Sequence, residues 1–351
     1  MRWLSVLILG LPVAIACRIL HAPDWAAFLA SALALIPLAA WIGLATEHAA
    51  VRLGSSLGGL LNATFGNAAE LIITLFALRR GLTDLVKASL TGSIIGNTLL
   101  ILGLSAFLGG LKHGSQRFEA KAAARHAAMM ILAVSAMALP AVFATVEPSA
   151  FIREEVSVGV SILLLATYGA YIFYSYFSRE ARAQKSGAEP PHPVGKPWSL
   201  NRSLAVLGAA VVGTGVASEL LVHAVEPVSK SLGLSQFFVG LIVIPIVGNV
   251  AENYGAITFA RRNHMDLSIS IAANSSTQIA VFVAPVLVLA SLFSRPINLV
   301  FHPMELVTLF SSTAIFAYVS LDGETNWLEG VQLLALYLIA AVSFFFLSGG
   351  P

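Results

Sequence analysis

The chain has 351 residues, of which 57% are hydrophobic and 11% are charged, and this composition excludes an ordinary soluble domain and predicts a polytopic membrane protein. The formal net charge is +2 and the basic residues lie between apolar blocks, so we expect no nucleic-acid partner. The single cysteine, Cys17, excludes an internal disulfide bond and a cysteine-based metal cluster.

Apolar segments long enough to cross a bilayer, about 20 residues each, occur eleven times along the chain. They lie at 3–17, 25–46, 57–78, 88–111, 127–146, 156–177, 203–225, 237–260, 267–293, 306–321 and 330–347. The alternative for the first span is a signal sequence cleaved near Cys17, which would leave ten spans. The pattern predicts an all-α polytopic membrane protein with 11 transmembrane helices.

Charged residues are rare inside these spans. Glu70, Glu219 and Glu252 are the only acidic residues within them, and no Lys or Arg lies there. A carboxylate at bilayer depth costs several kcal/mol, so it is interpreted first as part of an ion or proton pathway.

The distribution of Lys and Arg over alternate loops predicts the orientation in the membrane. With the N-terminus inside, thirteen of the 20 basic residues lie on the cytoplasmic side, and Arg79 and Arg80 are the main exceptions. The count predicts a cytoplasmic N-terminus and an outside C-terminus. The short loops favour a bacterial inner (cell) membrane, with an organelle membrane as the alternative.

Two segments of the chain match each other 182 positions apart: Gly-Asn-Ala-Ala-Glu at 66–70 and Gly-Asn-Val-Ala-Glu at 248–252. The same register aligns Arg79-Arg80 with Arg261-Arg262, Asp84-Leu85 with Asp266-Leu267, and Ser93 with Ser275. The two motifs lie in the third and eighth spans, an odd number of crossings apart, so the two copies must cross the membrane in opposite directions. We expect a first transmembrane helix at 1–20, a five-helix repeat at 21–178, a cytoplasmic linker at 179–200 and an inverted five-helix repeat at 201–351.

Glu70 and Glu252 are expected to meet near the bilayer midplane, because inverted repeats place the substrate site at their interface, in interrupted helices. Gly66 and Gly248, the latter preceded by Pro245, are the candidate interruptions. An interruption frees carbonyl oxygens, and calcium takes about six to eight oxygen ligands. The predicted metal site comprises Glu70, Glu252, Asn67, Asn249, Gly66 and Gly248. The alternative is that Gly and Pro only permit close helix packing.

Further polar residues are predicted to line the ion pathway. Ser93, Asn97, Ser275 and Gln278 follow the two motifs and are placed beside the site, with interhelical hydrogen bonding as the alternative. Glu47 and Glu219 lie near the ends of the first helix of each repeat and are candidate gating residues. For Glu47 the alternative is an acid solvated at a helix end.

These residues carry a family resemblance: the chain is similar, over nearly its whole length, to the cation/proton exchangers of the calcium/cation antiporter superfamily, the CAX group. The resemblance rests on the two motifs, on their approaches at 58–65 and 238–245, and on Ala45-Thr46-Glu47 and Gln278-Ile279-Ala280. It implies eleven helices and a pair of glutamates, Glu70 and Glu252, that bind calcium and protons alternately.

Two features depart from the family pattern. Asn253 stands where many members have His, so no role of that His is carried over. The polar segment at 178–202 contains only Glu180 and Glu189 against five basic residues, so we expect no regulation by calcium at an acidic linker helix.

Charge balance gives the expected mechanism: two ionised glutamates neutralise one calcium ion, and protons must replace it when it leaves. The sequence predicts a secondary active transporter that exchanges Ca²⁺ for H⁺ by alternating access. A sodium-coupled calcium exchanger and a divalent-cation channel are the alternatives. An enzyme is not expected, because the spans hold no paired Asp or His-rich motif that would activate a water. The expected partners are Ca²⁺, H⁺ and the lipid bilayer, without a cofactor, and a homo-oligomer is left open.

Overall fold

The computed structural model describes residues 6–177 and 197–347, and its regular structure is almost entirely helical. The helices are α1 Leu7–Ile19, α2 Asp24–Phe65, α3 Ala68–Arg79, α4 Thr83–His113, α5 Ala120–Phe143, α6 Ala150–Phe177, α7 Leu200–Leu232, α8 236–260, α9 Met265–Ser291, α10 Pro303–Val319 and α11 Trp327–Leu347. Two short strands, β1 Gln116–Arg117 and β2 Glu324–Thr325, pair antiparallel. Most of the predicted linker at 179–200, with Glu180 and Glu189, lies outside the described residues.

Within the described ranges, seven helices are long and apolar enough to cross a membrane, or eight if the bent helix α8 counts as one span. The seven are the first part of α2 (Asp24–Leu53), α4, α5, α6, α7, α9 and α11, most of each at the predicted position. α1 and α10 are shorter apolar helices. The prediction of an all-α polytopic membrane protein is confirmed, whereas the total of eleven spans stays a prediction.

The chain reverses direction within α2. Gly58 lies against Ala50, since a Cβ built on Gly58 would stand 2.8 Å from the Cα atom of Ala50. Eight residues of a straight helix would separate these positions by about 12 Å. The turn between residues 50 and 58 therefore divides the second predicted span from the third.

Both motifs lie at interruptions of a helix, as the sequence predicts. Gly66 and Asn67 separate α2 from α3. In α8 a π-helical turn at Val239–Val243 precedes Pro245, and the helix is bent by 72° just before Glu252. A π turn and a proline each disturb the regular backbone hydrogen bonds of a helix. The interruptions thus fall at or shortly before the two acidic residues.

The centre of the molecule is formed by α4 and α9, which are equivalent in the 182-residue register. The apolar window of α4 is 67% buried and that of α9 is 78% buried, against 22% for α6. The register carries Thr83, the first residue of α4, onto Met265, the first residue of α9. Both helices contain a π-helical turn at the matching position, Gly96–Ile101 and Ile279–Val283. Their polar side chains therefore face protein rather than lipid.

The helix ends gather at two faces. One of them, here named the linker face, includes the turn of α2, where Arg52 donates to the backbone oxygen of Trp198 just before α7. The same face includes the end of α4, where Lys112 donates to the backbone oxygen of Arg261. The opposite face holds the start of α4, where Lys87 donates to the connection between α9 and α10. α4 therefore runs from the opposite face to the linker face.

We expect Gly330→Ala to destabilise the protein, because α11 packs against α4 at backbone contact. A Cβ at Gly330 would stand 2.3 Å from the backbone nitrogen of Phe107 and 2.8 Å from the carbonyl oxygen of Gly103. Overpacking of this kind costs about 1–3 kcal/mol, so the midpoint of thermal unfolding in detergent should fall by several degrees. Gly169→Ala in α6 is the control, since no described atom lies within 4 Å of its added Cβ. An equal fall in both variants would contradict the packing argument.

Candidate functional site

A cavity of about 420 Å³ lies between α2, α3, α8 and α9, and both motif glutamates line it. Its polar lining residues are Glu47, Asn62, Glu70, Glu252, Asn274, Ser275 and Gln278. The cavity reaches Glu47, which is exposed near the turn of α2 at the linker face. The two halves of the chain therefore build one cavity, which approaches the linker face.

The helix interruptions place the two carboxylates. Glu70 lies in the first turn of α3, and Glu252 follows the bend of α8 directly. The first turn of a helix holds a carboxylate favourably, because its free amide groups and the helix dipole are positive there. Gly248 lets α8 pass close to Glu70, since a Cβ at this glycine would stand 3.7 Å from Oε1 of Glu70.

Charge is the main problem that this arrangement poses. Glu70 is only 4% exposed, and its Oε1 has no hydrogen-bond partner in the described part of the chain. Glu252 lines the same cavity as Glu70. Two like charges in a region of low dielectric are costly unless a cation or protons neutralise them. The pair can therefore hold a cation or protons.

A cation in this cavity would need oxygen ligands beyond the two carboxylates. Among the described residues, no group of three or more His, Cys, Asp or Glu side chains could hold a metal ion. Gly66 and Gly248 line the cavity and precede Asn67 and Asn249, so their carbonyl groups are the candidates that the sequence predicts. Amide oxygens and water are the further oxygen donors that calcium accepts.

A chain of side-chain hydrogen bonds, here named the amide brace, ties the first motif to the second half. It consists of Asn67, Gln278, Ser275 and Asn97. The amide nitrogen of Asn67 donates to Oε1 of Gln278 at 2.5 Å, and the hydroxyl group of Ser275 donates to Oδ1 of Asn67 at 2.9 Å. The amide nitrogen of Asn97 donates to the Ser275 oxygen at 3.0 Å. The brace fixes the start of α3 against α9.

The second motif has only part of this arrangement. Asn249 donates to the hydroxyl oxygen of Ser93 at 3.4 Å, and the equivalent pair in the 182-residue register is Asn67 and Ser275, in which the serine is the donor. The position equivalent to Gln278 is Gly96, which has no side chain. The two motifs are therefore held by related but unequal contacts.

The predicted site residues divide into three groups by position. Those that line the cavity are Glu47, Gly66, Glu70, Gly248, Glu252, Ser275 and Gln278. Those that are buried but are not part of its lining are Asn67, Ser93, Asn97 and Asn249. Glu219 belongs to neither group: it is exposed on α7 and does not line the cavity. Hence the structure does not bring Glu219 to the other acids.

Another buried acid, Glu305, is not among the predicted site residues because it lies one residue before an apolar window. Its Oε1 accepts a hydrogen bond from the hydroxyl group of Thr91 at 2.8 Å, and its Oε2 accepts one from the backbone nitrogen of His302. Lys87, one turn before Thr91, donates to Oδ1 of Asn298 at 2.8 Å. These bonds attach the first turns of α4, near the opposite face, to the start of α10 and to the segment before it. The local signal was the capping pattern His302-Pro-Met-Glu305, but its partner on α4 is more than 200 residues away.

Beside the cavity, His48 of α2 holds the segment that leads into α7. Its ring stacks on Trp198 with 4.3 Å between the ring centroids, and its Nδ1 accepts from the Trp198 backbone nitrogen at 3.4 Å. Arg202 covers the Trp198 ring with its guanidinium group 4.6 Å from the centroid. His48 is therefore a packing contact of the linker face and does not line the cavity.

Comparison with known proteins gives consistent matches over the length of the chain. Residues 24–177 and 202–346 match the family described as sodium/calcium exchanger protein. The chain is 42% identical to a Ca(2+)/H(+) antiporter of Aphanothece halophytica, over 97% of this chain and 95% of the relative. It is 41% identical to the Ca(2+)/H(+) antiporter ChaA of Bacillus subtilis, over 96% and 97% of the two chains. The crystal structure of the Ca2+/H+ antiporter protein YfkE superposes with a TM-score of 0.85 and 39% identity, covering 99% of this chain and 100% of that chain.

Proposed function

The chain belongs to the sodium/calcium exchanger protein family, and we propose that it exchanges Ca²⁺ for H⁺ across a membrane as a secondary active transporter. The observation that carries this proposal is the single cavity lined by Glu70 and Glu252, one from each half of the chain. The relatives named as Ca(2+)/H(+) antiporters support the choice of ions. Their names also favour a transporter over an enzyme.

Calcium is the cargo that suits the cavity best. Two ionised carboxylates neutralise one divalent ion, and the cavity adds uncharged oxygen atoms from the Gly66 and Gly248 carbonyl groups and from Gln278. Calcium accepts about six to eight oxygen ligands in flexible geometry, and water can complete the set. The amide brace holds Oε1 of Gln278 in place through Asn67.

Protons are the counter-ion because the same two carboxylates cannot both stay charged once calcium has left. Two protons restore neutrality, so calcium and protons occupy the same oxygens in turn. The neutral states, loaded with calcium or doubly protonated, pass between the two sides by alternating access. The ionised empty state crosses poorly because it would carry two uncompensated charges.

The orientation is part of this proposal. The linker face carries most of the basic loop residues, and we place it in the cytoplasm of a bacterium, with the N-terminus inside and the C-terminus outside. The cavity as described then approaches the cytoplasmic face. The division into 1–20, 21–178, 179–200 and 201–351 follows the same scheme.

The test is counter-ion dependence in proteoliposomes that contain the purified protein. An imposed pH gradient should drive calcium uptake against its own gradient, and a protonophore should abolish the uptake. Replacement of sodium by an inert cation at a fixed pH gradient should have no effect. Uptake that requires sodium would favour a sodium-coupled exchanger, and uptake that only follows the calcium gradient would favour a channel.

A further inference from the structure

Between the cavity and the opposite face, helices α4 and α8 make a contact that only glycine permits. A Cβ at Gly92 of α4 would stand 1.9 Å from the carbonyl oxygen of Leu241 in α8. At the neighbouring residue of α8, a Cβ at Gly240 would stand 2.9 Å from the carbonyl oxygen of Leu85 and 3.1 Å from the Cβ of Ala88, both earlier on α4. α4 and α8 come from different halves and touch backbone to backbone here. This contact, the glycine seal, lies between the two carboxylates and the opposite face.

Among the described residues, α2 and α9, the counterparts of α8 and α4 in the other half, do not pack against each other in this close way. In the 182-residue register, Gly240 corresponds to Gly58, and Leu85 and Ala88 correspond to Leu267 and Ser270. The three atoms closest to a Cβ at Gly58 all belong to Ala50, at 2.7 to 2.9 Å, and not to Leu267 or Ser270. Asn274, which corresponds to Gly92, lines the cavity instead. The cavity thus lies where the counterpart of the glycine seal would close it.

The side chains at the two equivalent positions, 92 and 274, also differ in size. Gly92 has no side chain and allows the backbone of α8 to approach, whereas Asn274 carries a side chain and lines the cavity at the corresponding position. An asparagine at a point of backbone contact would force the helices apart, since interiors tolerate almost no overlap. The cavity at the linker face therefore cannot be closed as tightly as the opposite face is closed.

We propose that the pair Gly92 and Asn274 sets the resting state of the protein, with the carboxylates accessible from the linker face and sealed from the opposite face. This inference rests on the alternating access of the proposed function, and it adds that the two gates are unequal. The glycine seal is the tight gate. The gate at Asn274 is looser and retains a polar side chain beside the ion.

The test compares Gly92→Ala with Gly96→Ala, one turn further along α4, where no described atom lies within 4 Å of an added Cβ. Access is read from two single-thiol reporters in a Cys17→Ser background, Ile271→Cys and Ser89→Cys. Ile271 lines the cavity, and Ser89, its counterpart in the register, is buried. The purified protein in detergent is treated with a water-soluble maleimide, so both faces are exposed to the reagent.

With Gly92 intact, the thiol of Ile271→Cys should react at least about tenfold faster than that of Ser89→Cys. This ratio corresponds to a free-energy preference of about 1.4 kcal/mol for the state that is open to the linker face. Gly92→Ala should reduce or invert this ratio, and Gly96→Ala should leave it unchanged. The proposal is overturned if folded Gly92→Ala, checked by gel filtration, labels like Gly96→Ala.

A second variant decides the question even when Gly92→Ala fails to fold. Asn274→Gly removes the obstacle at the looser gate, so the thiol of Ile271→Cys should become several-fold less reactive. Unchanged reactivity in this variant would refute the proposal. Labelling does not depend on transport, so the two proposals can fail separately. If the protein shows the predicted labelling pattern but does not exchange calcium, the unequal gates are upheld and the proposed function is contradicted.

Discussion

Glu70→Gln and Glu252→Gln are each expected to abolish calcium uptake driven by a pH gradient. Glutamine has nearly the shape of glutamate, but it carries no charge and takes up no proton. One remaining carboxylate would leave bound calcium with an uncompensated charge in a buried site, which costs several kcal/mol. Uptake by proteoliposomes should therefore fall at least about 100-fold, the factor that corresponds to roughly 2.7 kcal/mol.

The control for these two variants is Glu226→Gln. Glu226 is exposed on α7, pairs with Lys230 at 2.9 Å and is not part of the cavity lining. An exposed pair of this kind contributes little to stability, so uptake should match that of the unmodified protein. Substantial uptake by either cavity variant, with normal elution in gel filtration, would rule out a site shared by the two acids.

Gly248→Ala is expected to weaken calcium binding without unfolding the protein. The added Cβ would lie 3.7 Å from Oε1 and Cγ of Glu70, which is ordinary van der Waals contact. It would nevertheless fill space beside the carboxylate that ligand oxygens and water need, since calcium holds its ligands at about 2.3–2.6 Å. The calcium concentration for half-maximal uptake should rise about tenfold, or about 1.4 kcal/mol.

The matched substitution is Gly208→Ala in α7, where no described atom lies within 4 Å of the added Cβ. It changes the backbone freedom of a helix in the same way but adds nothing to the cavity. Its calcium concentration for half-maximal uptake should stay that of the unmodified protein. A Gly248→Ala protein with unchanged half-saturation and reduced thermal stability would indicate that this glycine serves packing alone.

The parts of the fold that the sequence predicts depend on local or repeated patterns. Span positions follow from the length of apolar windows, and the interruptions at Gly66 and before Glu252 follow from Gly and Pro at fixed places. The motif repeat also predicts that Glu70 and Glu252 lie in one cavity, because a repeated register implies equivalent positions in two related halves.

Other features depend on contacts between residues far apart in the chain, which a single sequence does not reveal. Glu305 receives its hydrogen bond from Thr91, 214 positions away, and no local pattern connects them. Gly92 resembles many glycines in apolar helices, and only the approach of Leu241 shows why it has no side chain. The sequence predicts Glu219 as a gating residue from its place near a helix end, but its exposed position on α7, outside the cavity lining, follows from helix packing.

The amide brace bears on how the chain must be assembled. Asn67 and Asn249 are counterparts, yet only Asn67 finds a glutamine, because the position matching Gln278 is Gly96. The two motifs are thus not interchangeable, because each asparagine has different partners. A single half, synthesised alone, would lack the partners of its own asparagine, so ordering of the first motif must wait until α9 has been inserted.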